Sequence, residues 1–292
     1  MPVIPSPGPF GSVITPATSG VVPSYVGIGD LAATLGLTGL NWWGFRAYSL
    51  AKIGTSCIDV RYNDGATATI VTVAGGALDV ATLNAGVIAH PGPVVVSQIY
   101  DQVGSNNLVI GSYSLNTVLT IADSTLNNLP SIACISAANN GFETSAVITS
   151  HALPVTMALV AKHTAATSDQ NIFWASNGAS SSLAFYFSNT NQGTFYDGVN
   201  SIIITATDST WNSHVGTIPT SGSEIYAVNG TQSTGISTGA IPYGGGIAAI
   251  GQFTYHKVDG SWAEMGAFAG VLTAGQITQM YNNIHNYYNA GF

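Results

Sequence analysis

Apolar residues along this chain fall in short runs or alternate with polar ones, and Gly, Asn and Pro fill the gaps. Alternation with a period of two puts every second side chain on one face of a strand, so the runs at 56–62, 67–73, 94–100, 117–121, 131–135, 145–149 and 155–161 predict strands. The second half continues with 171–175, 183–187, 193–197, 201–207, 224–228, 247–253 and 262–271. Short strands at this spacing, with no fixed repeat, predict an all-β sandwich or barrel and not a solenoid or propeller. The turn chemistry agrees. Asn63-Asp64-Gly65 lies between two strand runs as a hairpin signal, and Tyr196-Asp197-Gly198 and Val228-Asn229-Gly230 mark two more turns.

Two stretches change the period. From Asp30 to Leu40, Leu31 and Leu35 sit at helical spacing behind Asp30 as N-cap, with a stop near Gly36 or Gly39. At the end, Thr273-x-x-Gln276 offers a capping box, and Ile277, Met280, Tyr281, Ile284 and Tyr288 follow three and four residues apart, predicting a short C-terminal helix packed on the core. Residues 1–26 hold six of the twelve prolines and fit neither period. They predict an extended N-terminal arm, and its apolar positions Val3, Ile4, Phe10, Val13 and Ile14 predict an anchor that folds onto a partner. Residues 27–292 then form one domain.

Only 6% of the 292 residues are charged, 46% are hydrophobic, and the net charge is −8. Ser, Thr, Asn, Gln and Gly must therefore cover the surface, as in many extracellular and virion β-proteins. Five Lys plus Arg cannot build the basic footprint that nucleic acid requires. No apolar run approaches the ~18 residues of a membrane span. The start, Met1-Pro2-Val3-Ile4-Pro5, lacks the basic and apolar regions of a signal peptide, which predicts assembly in a cytoplasm and carriage outside on a particle. Cys57 and Cys134 read as small buried hydrophobes, with a disulfide between them as the alternative. The six histidines are scattered and aspartates in turns are usually turn-formers, so neither a metal nor a cofactor is expected.

Val94 to Tyr100 is a β-branched and aromatic run that predicts a central strand, ended by the turn-forming cluster Asp101 to Asn107. Ile99-Tyr100-Asp101-Gln102, with Gly104 and Asn107 behind it, resembles the Tyr-Asp-Gln-Ser-Gly-Asn-Gly-Asn signature of the α-L-arabinofuranosidase B-like catalytic domain. That domain is a concanavalin-like jelly-roll β-sandwich, found also in structural proteins of tailed bacteriophages. Flanking pieces fit in order. Trp42 to Ser49 resembles the opening strand, Ile58-Asp59-Val60-Arg61 the next, Leu78 to Leu83 a short helical link, and Asn128 to Ile132 the lead into a further core strand. The resemblance covers Leu40 to Ser136, and the remainder only in architecture. It implies a virion structural protein (fibre, tail or capsid decoration) that meets other virion proteins through the arm and binds a host-surface glycan. By analogy with phage fibres it implies a homo-oligomer, with a trimer favoured.

A retaining glycosidase of that family needs two carboxyl groups about 5–5.5 Å apart. The resemblance places the nucleophile at Ser188, in Phe185-Tyr186-Phe187-Ser188-Asn189, and the acid/base in Ile250 to Tyr255, where no carboxylate occurs before Asp259. Binding is therefore expected ahead of hydrolysis, the alternative being an arabinofuranosidase-like glycoside hydrolase acting on host-surface polysaccharide, and no catalytic residue is assigned. If that register slips, Asp197, Asp208, Glu224, Asp259 and Glu264 are the carboxylates from which a pair would come. Aromatics in polar loops carry the remaining signal. Trp211, Tyr243, Tyr255 and His256 offer ring faces for a sugar, the alternative being packing at loop bases or against a neighbouring subunit.

Overall fold

The structure, a computed structural model, describes residues 25–110, 117–135, 141–164, 170–176, 182–189, 191–237, 241–250, 252–253, 256–257 and 259–289. The arm with Val3, Ile4, Phe10, Val13 and Ile14 lies outside the described residues. In chain order the strands are β1 (Thr38–Gly44), β2 (Ser56–Arg61), β3 (Thr67–Val71), β4 (Val95–Ile99), β5 (Leu108–Val109), β6 (Leu119–Asp123) and β7 (Leu129–Cys134). There follow β8 (Phe142–Thr144), β9 (Val155–His163), β10 (Gln170–Ser176), β11 (Ser182–Asn189), β12 (Gln192–Tyr196) and β13 (Ser201–Thr205). The last are β14 (Asn212–Ile218), β15 (Gly222–Val228), β16 (Thr231–Ser237), β17 (Ala248–Ile250), β18 (Gln252–Phe253), β19 (His256–Lys257) and β20 (Gly260–Ala269).

These strands form an all-β sandwich of two antiparallel sheets. One has the order β16-β15-β14-β9-β20-β7-β6, and β1 pairs with the later part of β20 where β7 leaves off. The other has the order β13-β12-β11-β10-β17-β8-β5-β4-β2-β3. β18 and β19 make a separate small hairpin. The inner faces meet through aromatic contacts across the sandwich: Trp43 on Phe173 at 6.4 Å, Phe142 on Trp262 at 6.3 Å and Phe185 on Tyr226 at 5.9 Å between ring centroids. Gly216 lets the sheets close at one such point, because a Cβ there would stand 2.5 Å from the Phe195 ring.

Helix α1 (Ile28–Thr34) packs on β1, α2 (Val80–Ala89) starts at Asp79, and α3 (Ala274–Tyr288) lies on β14. The Thr273–Gln276 capping box opens α3, and Ile277, Met280, Ile284 and Tyr288 are buried beneath it. With a helix outside and the core inside, β14 is buried along its whole length, which removes the alternation that would announce a strand. For that reason β14 escapes the sequence pattern, as does the polar edge strand β16. Two further expectations are corrected. Asp30 is not the N-cap of α1 but its third residue, whose carboxylate accepts the Gly27 N–H at 3.0 Å. Residues 145–149 form no strand, because the ladder ends at Thr144 and Ile148 instead bonds the loop at Gly245 and Gly246. Cys57 and Cys134 are free and buried.

Asp101 and Gln102, in the stretch that carries the family resemblance, tie the turn after β4 to β1. Asp101 Oδ1 accepts the Trp42 and Val103 N–H groups at 3.0 and 3.1 Å, and Oδ2 accepts Asn41 Nδ2 at 2.6 Å. Gln102 accepts the Tyr48 N–H at 2.7 Å and donates to the Arg46 carbonyl at 2.8 Å. Arg46 in turn makes a two-pronged buried pair with Glu264, at 2.6 and 2.8 Å, and lies 4.6 Å from the centre of the Tyr287 ring. Strands far apart in sequence are thus joined through fully paired charges.

Candidate functional site at one end of the sandwich

β9 is a nearly continuous apolar run that ends in Lys162 and His163, two groups costly to place at a strand end without partners. There it meets the end of β7 and the beginning of β20, with Gly260 opposite both Cys134 and His163. Gly260 is required, since a Cβ would stand 2.3 Å from the Lys162 carbonyl oxygen. Thr164 fixes the next step by donating its N–H and hydroxyl to the Asp259 carbonyl at 2.8 and 2.9 Å. Around these strand ends opens a cleft of about 520 Å³, lined by Lys162, His163, Thr164, Ser209, Asp259 and Ser261 among others.

The Lys162 and His163 side chains each have specific supports. Lys162 Nζ donates to Thr125 Oγ1 at 3.0 Å, stands 3.7 Å from Asp123 and lies 5.1 Å from the centre of the Trp211 ring. Burial pushes the Asp123 carboxyl upward, but hydrogen bonds from Thr125 and Ser131 and the Lys162 charge outweigh it and hold the group below its usual range. His163 is buried, with Nε2 2.6 Å from Asp208 Oδ1 and its ring stacked on Phe187 at 3.5 Å. Burial lowers its pKa, and Asp208 opposes the shift without reversing it. Asp208 is held by a reciprocal pair with Asn191: Asn191 N–H to Asp208 Oδ1 at 2.7 Å, and Asp208 N–H to Asn191 Oδ1 at 2.9 Å. Asn191 and Ser209 both adopt left-handed backbone, at φ 57° and 59°, which non-glycine residues adopt at a cost. Behind His163, His214 bonds the Tyr226 hydroxyl at 2.7 Å and is pushed down to about 3, by burial first and by the His163 charge second.

Of the positions implied for the family acids, Ser188 lies at one end of the other sheet, and Thr254 and Tyr255 lie outside the described residues. β11 and β17 both pair antiparallel with β10, so they run parallel, and Phe185 and Ile250 both stand opposite Phe173. Ser188 and Ile250 therefore lie toward the same end of the sheet, on strands with β10 between them. That is also the end of Phe187, which touches His163. Among the described residues lining the cleft only Asp259 is a carboxylate.

The other carboxylates named from sequence are placed differently. Glu264 is taken up by Arg46 and Asp208 faces His163. Asp197 and Glu224 come together near the opposite end of β12: Glu224 is raised to about 7, by burial first and by the Asp197 charge second. Glu224 has no exposed surface and Asp197 is 2% exposed, so this pair does not face an open groove. Among the described residues no group of three His, Cys, Asp or Glu could hold a metal ion.

Of the aromatic candidates, Trp211 adjoins the cleft, but it is 3% exposed, with its indole N–H donated to Thr125 at 3.0 Å and its ring covered by Lys162. Tyr243 is fully buried far from the cleft, bridged to His151 by backbone bonds and donating its hydroxyl to Asn41 at 3.3 Å. Neither ring offers a free face as it stands. Tyr255 lies outside the described residues, and His256 is placed only as part of β19. Lys162, His163 and Ser209 were not selected from the sequence. The available signal was a Lys-His pair closing an otherwise apolar strand.

No protein-family model and no curated protein sequence matches the chain. Solved structures do. A mutant of a GH54 α-L-arabinofuranosidase, soaked with 4-nitrophenyl α-L-arabinofuranoside, superposes with a TM-score of 0.70 at 13% identity, covering 90% of this chain and 66% of that one. A second arabinofuranosidase structure, complexed with arabinofuranosyl-α-1,2-xylobiose, gives the same TM-score and covers 65% of that chain, so this chain spans about two thirds of those enzymes. The ligand-binding domain of botulinum neurotoxin serotype D, in complex with N-acetylneuraminic acid, reaches 0.50 at 12% identity over 66% of this chain and 51% of that one. At such identities the likeness is one of fold.

Proposed function

We propose that the chain is a carbohydrate-binding β-sandwich that holds a glycan in the cleft around Lys162 without hydrolysing it. The observation that carries the reading is the match of 90% of the chain to arabinofuranosidase structures, joined to a cleft whose described residues include one carboxylate where a double displacement needs two. One ammonium, one carboxylate and three hydroxyl side chains suit a ligand made of hydroxyl groups, since together they donate and accept at several points. The setting we propose is a virion surface, supported by the resemblance around Tyr100-Asp101-Gln102 and by the charge-poor composition.

A glycan array probed with the full chain tests the reading. Retention of one glycan class is expected, and Lys162→Ala should weaken it by about tenfold, equal to 1.4 kcal/mol. Failure to retain any glycan overturns binding. Release of arabinose from a chromogenic arabinofuranoside, abolished by Glu224→Gln or Asp197→Asn, overturns the non-hydrolytic part.

A further inference from the structure

We infer that two copies of this chain join edge to edge through β13, forming a two-fold dimer whose ten-stranded sheets run on into one another. Among the described residues β13 ends its sheet, so the row of N–H and C=O groups on its outer side has no ladder partner. Natural edges are usually guarded by charge. At the far side of the sandwich the exposed face of β3 presents Thr67 and Thr69, with Asp59 bonded to Thr69 and Arg61 alongside, and edge strand β6 ends in Asp123 near Lys162. β13 and its neighbour β16 carry no charge at all. Their exposed positions are hydroxyl-bearing or aliphatic: beside Ser201, Thr205, Thr231 and Thr234 stand Ile203, 53% exposed, and Ile236, 79%, with Val199 of the preceding turn at 55%, and Asn200 links the two edges by donating to the Ile236 carbonyl at 2.9 Å.

The occupant follows from the sequence of the strand. Ser201-Ile202-Ile203-Ile204-Thr205 has a pattern symmetric about Ile203, with Ile202 and Ile204 facing the core and the other three exposed. Antiparallel pairing of two such strands sets Ile203 opposite itself, Ile202 opposite Ile204 and Ser201 opposite Thr205, so core meets core and hydroxyl meets hydroxyl. Charge points the same way. A chain of net charge −8 repels its copy, and pairing through β13 sets no charged side chain of that strand against another. The three exposed aliphatic side chains bring roughly 300 Å² per copy, which with the strand backbone reaches the low end of specific interfaces and fits a dimer that dissociates on dilution. The inference is independent of the glycan-binding reading and replaces the trimer suggested by analogy with fibres.

Sedimentation of the full chain over a wide concentration range should show a monomer–dimer equilibrium. Ile203→Lys should leave only monomer, while Thr69→Lys at the opposite edge should leave the dimer unchanged. Because residues directly opposite across a strand pair have Cβ atoms about 4.5–5.5 Å apart, oxidised Ile203→Cys should run as a covalent dimer. Ser201→Cys should not, its counterpart lying about 13 Å further along the paired strands. If Ile203→Lys fails to fold, the two cysteine variants still decide. A chain monomeric at every concentration, an oligomer indifferent to position 203, or equal cross-linking from 201 and 203 overturns the inference.

Discussion

Two buried polar regions of this sandwich are built on opposite terms. Around β1, every charged group has partners: Arg46 meets Glu264 and Asn283, and both Asp101 oxygens accept hydrogen bonds. At the other region, across β9, β14 and β15, the groups are as deeply buried but incompletely paired. Both Glu224 oxygens, His214 Nε2, His163 Nδ1 and Asp208 Oδ2 lack a hydrogen-bond partner. Unpaired buried groups cost stability, and sites of binding or chemistry are where such costs are usually retained. The first region is therefore read as the fastening of the fold, and the second as the part whose chemistry is still responsive.

The largest effect should come from breaking the first region. Glu264→Gln leaves the Arg46 guanidinium buried without a counter-charge and should cost about 3–5 kcal/mol, seen as a lower urea midpoint. Replacing both partners by Met removes the uncompensated charge, so the double variant should be distinctly more stable than Glu264→Gln alone. A double variant as damaged as the single one would show that Arg46 matters by its packing on Tyr287. Next comes Asp101→Ala, which strips the Asn41 amide and the Trp42 and Val103 N–H groups of their acceptor. We expect a loss of about 2–4 kcal/mol and early hydrogen exchange at Trp42.

How much of this was legible in the sequence differs between the two regions. The turn at Asp101 was visible because turn residues end a β-branched run, and the C-terminal helix was visible through its capping box and spacing. That Asp101 reaches Trp42, 59 residues away, was not, since a turn-former and a long-range clamp use the same side chain. β14 was hidden because α3 covers its outer face, and its polar residues are satisfied sideways, as where Thr217 meets Thr156 at 3.0 Å. The cleft was the least legible. His163 and Asp208 lie 45 residues apart, and nothing local in either neighbourhood announces the other. Trp211 was singled out for an aromatic ring in a polar loop, a composition that fits a packed loop base as readily as an open platform.

The smallest predicted effect tests the second region through pH. Glu224 has its folded pKa raised from 4.5 to about 7, so its stabilisation is full below pH 4.5 and is lost as pH rises through 7. His214 has its folded pKa lowered from 6.5 to about 3, so its stabilisation is full above pH 6.5 and is lost as pH falls toward 3. His163, also lowered, acts in the same sense as His214. Between pH 4.5 and 6.5 the carboxyl pulls against the two imidazoles and offsets part of their effect in the parent protein. Glu224→Gln removes one side of the balance. Relative to the parent, its stability should then fall as pH drops from 6.5 to 4.5, by up to about 1.4 kcal/mol per pH unit. His214→Phe keeps a ring against Phe187 and should shift the slope the other way. It also leaves the Tyr226 hydroxyl without its partner, at a cost of about 1 kcal/mol that does not vary with pH. Urea midpoints measured at half-unit steps compare each variant with the parent, so that groups elsewhere cancel. Parallel curves for Glu224→Gln and the parent would mean that Glu224 titrates normally, and that the unpaired region is no more responsive than the fastened one.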